Sequence, residues 1–256
     1  MTDAAFVFAK KRRIPPCGWK MNATLNRNIP DRDAFLDRAY ALYETFAKSL
    51  DVACKPGCSH CCTRDVTVTT LEAYRVFKAL EENGNLALIR KVLADDQRRF
   101  QPVITTNQLA ELCASDGETP PEDPPVSQNP CPLLDHGLCS IYAHRPFGCR
   151  CFVSASNCGE NQFADVDPFV LTVNTIFMQF IEHMDTPGLF GNFSDVLGFL
   201  DSEPHRKTYE SGCISKLPQG MVFNRPIPVL MIPPEDRDRI RPLLAGLQNL
   251  RSICSL

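Results

Sequence analysis

Cys54-Lys55-Pro56-Gly57-Cys58-Ser59-His60-Cys61-Cys62 packs four thiols into nine residues, and what that stretch requires of its surroundings decides how the chain must fold. Thiolates at this density suit zinc, copper(I) or an iron–sulfur cluster. Pro56 lacks an amide donor and Gly57 tolerates left-handed angles, so the segment is predicted to be a loop that ends a preceding helix. The two-residue spacer between Cys58 and Cys61 lets both sulfurs face one ion, and Cys54 can fold back through the Pro56-Gly57 bend. Cys61 and Cys62 are adjacent, and neighbouring side chains diverge. Cys62 is therefore expected to reach a second metal or another corner of the site.

Working outward, Phe35, Ala39, Leu42, Tyr43, Phe46 and Leu50 recur at helical steps from Asp31 onward, with Asp31 or Asp33 able to cap the start. Downstream, Thr69-Thr70-Leu71-Glu72 is a capping-box pattern that opens a second helix closed by Gly84. Residues 85–100 repeat the pattern around Leu86, Ile89 and Leu93, with Arg90, Lys91, Asp95, Asp96, Arg98 and Arg99 as a solvated face. Thr106 to Ala114 is a fourth helical segment, in which Cys113 is expected to pack as a small hydrophobe. The Pro-rich, acidic stretch 115–130 is predicted to be an extended connector. Beyond it, Cys131 to Tyr142 is predicted to form two very short strands around a turn at Asp135-His136-Gly137. Pro168 to Met184, Ser194 to Leu200 and Pro234 to Leu250 have helical spacing, and Val229-Leu230-Met231 could form one short strand. The expected fold class is mainly α: helices around a cysteine-rich metal-binding loop region with a short β-hairpin. Residues 1–50 form a tail and amphipathic helix, 51–158 the cysteine-cluster domain, and 159–256 a helical extension packed on it as one globular unit.

The chain is 256 residues long and 44% hydrophobic, enough to bury a real core, so bound metal is an addition to that core. Lys plus Arg number 27 against 30 Asp plus Glu, which leaves no basic excess to attract nucleic acid or an anionic membrane. The apolar run Ala4 to Ala9 precedes the basic Lys10 to Arg13, the reverse of a secretory signal, and no stretch of apolar residues is long enough to span a bilayer. A cytoplasmic location is expected, where a reducing thiol pool disfavours disulfides among the 13 cysteines.

The ligand pool is Cys54, Cys58, Cys61, Cys62, Cys131, Cys139 and Cys149, with Cys151 or Cys158 as an eighth. This exceeds the four that one tetrahedral zinc or one iron–sulfur cluster takes, so either two centres or one centre with redox-active spare thiols is expected. Lys55, Arg64, Arg145 and Arg150 are near enough in sequence to offset thiolate charge. His60, His136, His144 and His183 are read as structural, since sulfur already saturates the sites. Cys17, Cys213 and Cys254 are scattered and read as incidental. Asp65, Asp135, Glu160, Asp165 and Asp167 are read as solvated loop acids, and no catalytic base is expected.

Cys54-x3-Cys58-x2-Cys61-Cys62, then Cys131-Pro132-Leu133-Leu134, Gly137-x-Cys139-Ser140-Ile141-Tyr142 and Arg145-Pro146-x-x-Cys149-Arg150-x-Phe152, resembles the YkgJ-like cysteine-cluster family over residues 50–155. That resemblance implies a zinc- or iron-chelating domain. Flagellin lysine N-methylases contain a similar cysteine domain, which implies an iron–sulfur cluster and methyl transfer from S-adenosylmethionine. Only the cysteines carry that over, because no Gly-rich nucleotide loop follows a predicted strand. The Cys54-x3-Cys58-x2-Cys61 spacing also resembles radical S-adenosylmethionine enzymes, but here helices flank the triad and His60 stands where those enzymes have an aromatic residue. The leading expectation is a cytosolic protein holding an iron–sulfur cluster, [4Fe-4S] or zinc, with a redox role and a redox or protein partner. Structural zinc binding and a methylase using the cluster are the alternatives.

Overall fold

The computed structural model describes residues 28–55, 57–95, 98–121, 129–161 and 163–253. Helix α1 (Ile29–Ala47) carries Pro30 in its first turn, where a missing amide hydrogen costs nothing, and buries Phe35, Leu36, Ala39, Tyr40 and Tyr43 on one face. Strand β1 (Thr67–Thr69) runs directly into α2 (Thr70–Glu82), whose N-terminus is the expected capping box: Thr69 accepts from the Glu72 amide, and Glu72 accepts from the Thr69 amide.

The helix expected over 85–100 is shorter than its pattern. Helix α3 (Ala87–Leu93) ends at Ala94, because the residues that follow are claimed from elsewhere: the Phe100 amide donates to Asp65 at 2.9 Å, and Arg99 Nε donates to Asp195 at 2.8 Å. Helix α4 (Thr106–Ala114) follows, capped by Thr105. The hairpin of β2 (Leu134–Asp135) and β3 (Leu138–Cys139) forms where it was expected. Of the connector before it, residues 115–121 and 129–130 are described; Pro124 and Pro125 lie outside the described residues, as do Pro56, Asp96, the N-terminal residues 1–27, Cys17 and Cys254.

Two short helices, α5 (Phe147–Cys151) and α6 (Cys158–Asn161), were not expected. Helix α7 (Pro168–Met184) matches its sequence pattern and is capped by Asp167, whose side chain accepts from the Phe169 amide at 2.7 Å. After β4 (Leu189–Asn192) come α8 (Phe193–Asp201), α9 (Glu203–Glu210), β5 (Met221–Phe223) and α10 (Arg237–Ile253). Strands β1, β4 and β5 form one antiparallel sheet with β4 in the centre, Val68 facing Gly191 and Phe190 facing Val222. Strands of three or four residues show too little alternation to be read from sequence. The strand expected at Val229-Leu230-Met231 is absent; Gln179 on α7 instead donates to the Val229 carbonyl at 2.8 Å and accepts from the Met231 amide at 2.9 Å.

Two apolar clusters organise the molecule. One gathers Phe35, Tyr43, Val173, Phe177, Phe180 and Ile240 from α1, α7 and α10; the other gathers Val76, Phe77, Ile89, Val196, Leu197 and Tyr209 from α2, α3, α8 and α9. Both draw on residues before, within and after the cysteine-rich stretch. That stretch is pinned to both, through Phe147 in the first and Leu133 and Ile141 in the second. Between the clusters lies a buried ion pair, Arg32–Asp185 at 2.9 Å. Among the described residues no helix is long and apolar enough to cross a membrane.

Candidate metal centre

The first knuckle is a series of tight turns. The Cys58 amide donates to Lys55 O at 3.0 Å, with Gly57 at φ +87°, and the Cys62 amide donates to Ser59 O at 3.0 Å. The hairpin turns through His136 at φ +47° and Gly137 at φ +80°, the two left-handed residues a tight hairpin connection demands. That turn places Cys139 directly opposite Leu134.

Main-chain bonds join the two knuckles. The Cys131 amide donates to Cys62 O at 2.8 Å beside an antiparallel bridge between Thr63 and Pro130. At the other end of the first knuckle, the Ala53 amide donates to Ser154 O at 2.8 Å. The segments bearing Cys54 to Cys62, Cys131 to Cys139 and Cys149 to Cys158 are thereby held side by side.

Cys149 and Cys151 are positioned by α5, and α5 is positioned by a carboxylate from α2. Glu72, already the capping-box acid, also accepts from the Phe147 amide at 2.7 Å and from the Tyr40 hydroxyl at 2.9 Å. The Phe147 ring lies parallel to Phe177 with centroids 5.5 Å apart and meets the edge of Tyr43 at 4.8 Å. Arg150 donates to the carbonyls of Arg145 at 2.7 Å and Ala143 at 2.8 Å and pairs with Glu44 at 2.7 Å. It therefore fastens the turn before α5 to α1.

Cys62, Cys131, Cys139 and Cys149 are near enough to act electrostatically on one another. Cys54 stands in the same relation to Cys58, Cys61 and Cys158. A hydrogen bond from Cys61 holds the Cys62 thiol below its ordinary range and pushes Cys61 up. Burial raises the thiols of Cys149, Cys131 and Cys54; Arg145 opposes this at Cys149, Arg64 and Lys91 at Cys131, and the Ser154 amide at Cys54. Burial also pushes Cys151 up to about 12. Its thiol donates to Gly148 O at 3.6 Å inside the first apolar cluster. Among the described residues no three of these donors converge closely enough to hold an ion in their present rotamers. The donor set is nonetheless that of a thiolate-ligated metal: half-buried sulfurs on hydrogen-bonded loops, with cations alongside.

The sequence missed Lys91, which it assigned to a solvated face. Lys91 stands near Cys131 and donates to Leu134 O at 3.3 Å. Arg64 pairs with Asp95 at 2.6 Å, and Arg145 lies over the Tyr142 ring at 3.6 Å. Cys113 does not pack as a small hydrophobe: it is exposed on α4, as is Cys213 after α9, because α4 turns Asn107 and Ala110 inward instead. Of the histidines, His183 is buried on α7 and accepts the Ile227 amide at 3.1 Å, His136 sits exposed at the hairpin tip, and His60 lies beside Gly159. Asp65 and Asp167 each accept a backbone amide, and Asp167 also lines a cavity between α1 and the start of α7. That cavity, of about 460 Å³, lies against the end of the segment that follows α1, with Phe46, Leu50, Val52, Val153 and Phe169 for its apolar wall and Asp51, Asp165 and Arg239 among its polar groups.

No curated protein and no solved structure matches the chain. The stretch from residue 53 to residue 169, which holds both knuckles, is similar to the cysteine-cluster family that the sequence resembles: it matches the family model CxxCxxCC, described as a putative zinc- or iron-chelating domain.

Proposed function

We propose that this chain is a cytosolic metal-binding protein whose knuckles hold an iron–sulfur cluster, with zinc as the competing occupant, and that it serves electron transfer with a protein partner. The observation that carries this reading is the bond from the Cys131 amide to Cys62 O at 2.8 Å, which ties two cysteine stretches far apart in sequence into one thiol-rich face. When bound, a cluster supplies one-electron transfer. The chain's own residues supply the rest. Arg64, Lys91 and Arg145 offset thiolate charge, and Phe147, Leu133 and Ile141 anchor the ligand loops in the two cores. Leu138 on the hairpin, Tyr142 beyond it and Phe152 after α5 are exposed apolar side chains that a docked protein partner would cover. Iron is favoured over zinc because the thiols outnumber the four that a structural zinc uses, and unligated spare thiols would be open to oxidation.

Anaerobic purification followed by metal and acid-labile sulfide analysis tests this. Brown protein with iron and sulfide in comparable amounts supports the cluster; colourless protein carrying zinc makes the site structural, contributing on the order of 10 kcal/mol to folding of the loops. A second reading is a methylase that uses the cluster with S-adenosylmethionine, for which the cavity lined by residues 49–52, 165–167 and 169–170 is the candidate pocket, two residues in sequence from Cys54 although no cysteine lines it. Calorimetry with S-adenosylmethionine decides it: saturable binding supports the enzyme, and a flat titration removes it.

A further inference from the structure

The Cys61 thiol is hydrogen-bonded to the Cys62 thiol, and the other thiols gather on the two sides of that junction. On one side are Cys62 and the second knuckle. The Cys131 amide is bonded to Cys62 O at 2.8 Å, Cys139 faces Leu134 across the hairpin, and Cys131 and Cys139 both pack against the second apolar cluster. Cys149 joins them from α5, and each of the four thiols acts on the other three. On the other side, the Ala53–Ser154 bond at 2.8 Å brings Cys54 to the segment that leads into α6. The first residue after Cys158 is Gly159, and a Cβ there would collide with His60, which lies between Cys58 and Cys61. Cys54 stands near Cys58, Cys61 and Cys158 alike.

We infer that the domain carries two separate four-thiolate metal centres, one formed by Cys62, Cys131, Cys139 and Cys149 and the other by Cys54, Cys58, Cys61 and Cys158. This division presupposes the reading that the domain binds metal. It uses eight half-buried or exposed thiols in two sets of four, the number that a tetrahedral zinc or an iron–sulfur cluster takes. Cys151 is left out because it is 6% exposed and packed in the first core. Arg145, near both Cys61 and Cys149, sits where it offsets the charge of both centres, while Arg64 and Lys91 serve the Cys131 side alone. Among the described residues neither set of four converges in its present rotamers, so taking up an ion requires the sulfurs to move together.

The test is anaerobic titration of the reduced, metal-stripped full chain with cobalt(II), reading the thiolate-to-metal and ligand-field bands, with ions counted by native mass spectrometry. The wild type is expected to take two equivalents with tetrathiolate spectra. Cys139→Ser and Cys158→Ser should each take one, the double variant none, and Cys151→Ser two. A wild-type chain that binds a single ion, lost in both single variants, overturns the division while leaving metal binding intact. A fall to one ion in Cys151→Ser overturns the ligand sets. A wild type that binds no cobalt overturns the metal-binding reading along with the division. The wild-type ion count stands on its own should a variant fail to fold.

Discussion

Four donors converge on the carboxylate of Asp185: Arg32 at 2.9 Å, the Tyr209 hydroxyl at 2.8 Å, the Leu71 amide at 2.9 Å and Asn224 at 3.0 Å. All four require an acceptor, so the ionised form is the one they hold, although burial itself pushes the carboxyl up. Asp185→Asn turns one acceptor oxygen into a donor and strands the Arg32 guanidinium in a site with no solvent access. The expected loss is about 3–5 kcal/mol, read from urea unfolding monitored by helical circular dichroism, because one partner of a buried pair is removed and the other stays charged. At this scale the sequence is readable where chemistry is local. The cysteines declare themselves by density and spacing. Asp185 does not, because its ion-pair partner is 153 residues away, and Lys91 does not, because a lysine on a helix face near a thiol looks like any solvated lysine.

Among elements, legibility tracks length and the locality of the causes. Helices α4 and α7 could be read because a periodic apolar face and a capping residue are both written locally, whereas α1 was legible from its apolar face alone: it begins at Ile29, ahead of the Asp31 or Asp33 expected to cap it. The sheet β1-β4-β5 could not, since each strand is too short to show alternation and each is paired across a long loop. Helix α5 was missed for a sharper reason: its start is set by Glu72, 75 residues upstream. One carboxylate thus caps α2, holds Tyr40 on α1 and starts the helix that bears Cys149. Glu72→Ala removes the acceptor for the Thr69 and Phe147 amides and the Tyr40 hydroxyl at once. A loss of roughly 3 kcal/mol is expected, beyond that of an ordinary cap, since buried donors are left unsatisfied. Hydrogen exchange should show the Phe147 amide and α5 opening while α7 keeps its protection; equal loosening of α7 would mean that Glu72 acts on the whole core and not on the ligand helix.

For the molecule as a whole, the cysteine-rich stretch is a seam between two apolar clusters and not the centre of either. The clusters are assembled mainly by α1, α7 and α10 on one side and by α2, α3, α8 and α9 on the other, with Cys151 buried in the first and Cys131 and Cys139 packed at the edge of the second. A chain of 256 residues with such cores is expected to keep its overall fold without metal, unlike a small zinc finger. The knuckles have few anchors of their own: Phe147, Leu133, Ile141 and the two main-chain bonds at Cys131 and Ala53. Withdrawing metal from loaded protein with a chelator should therefore raise amide exchange through residues 53–63 and 130–158 by an order of magnitude or more, since local opening then costs only those anchors. The amides of α7 and α8 should change little, and helical circular dichroism should hold. Collapse of the helical signal on chelation would mean that the seam keeps the two clusters together, and that the metal belongs to the core rather than being added to it.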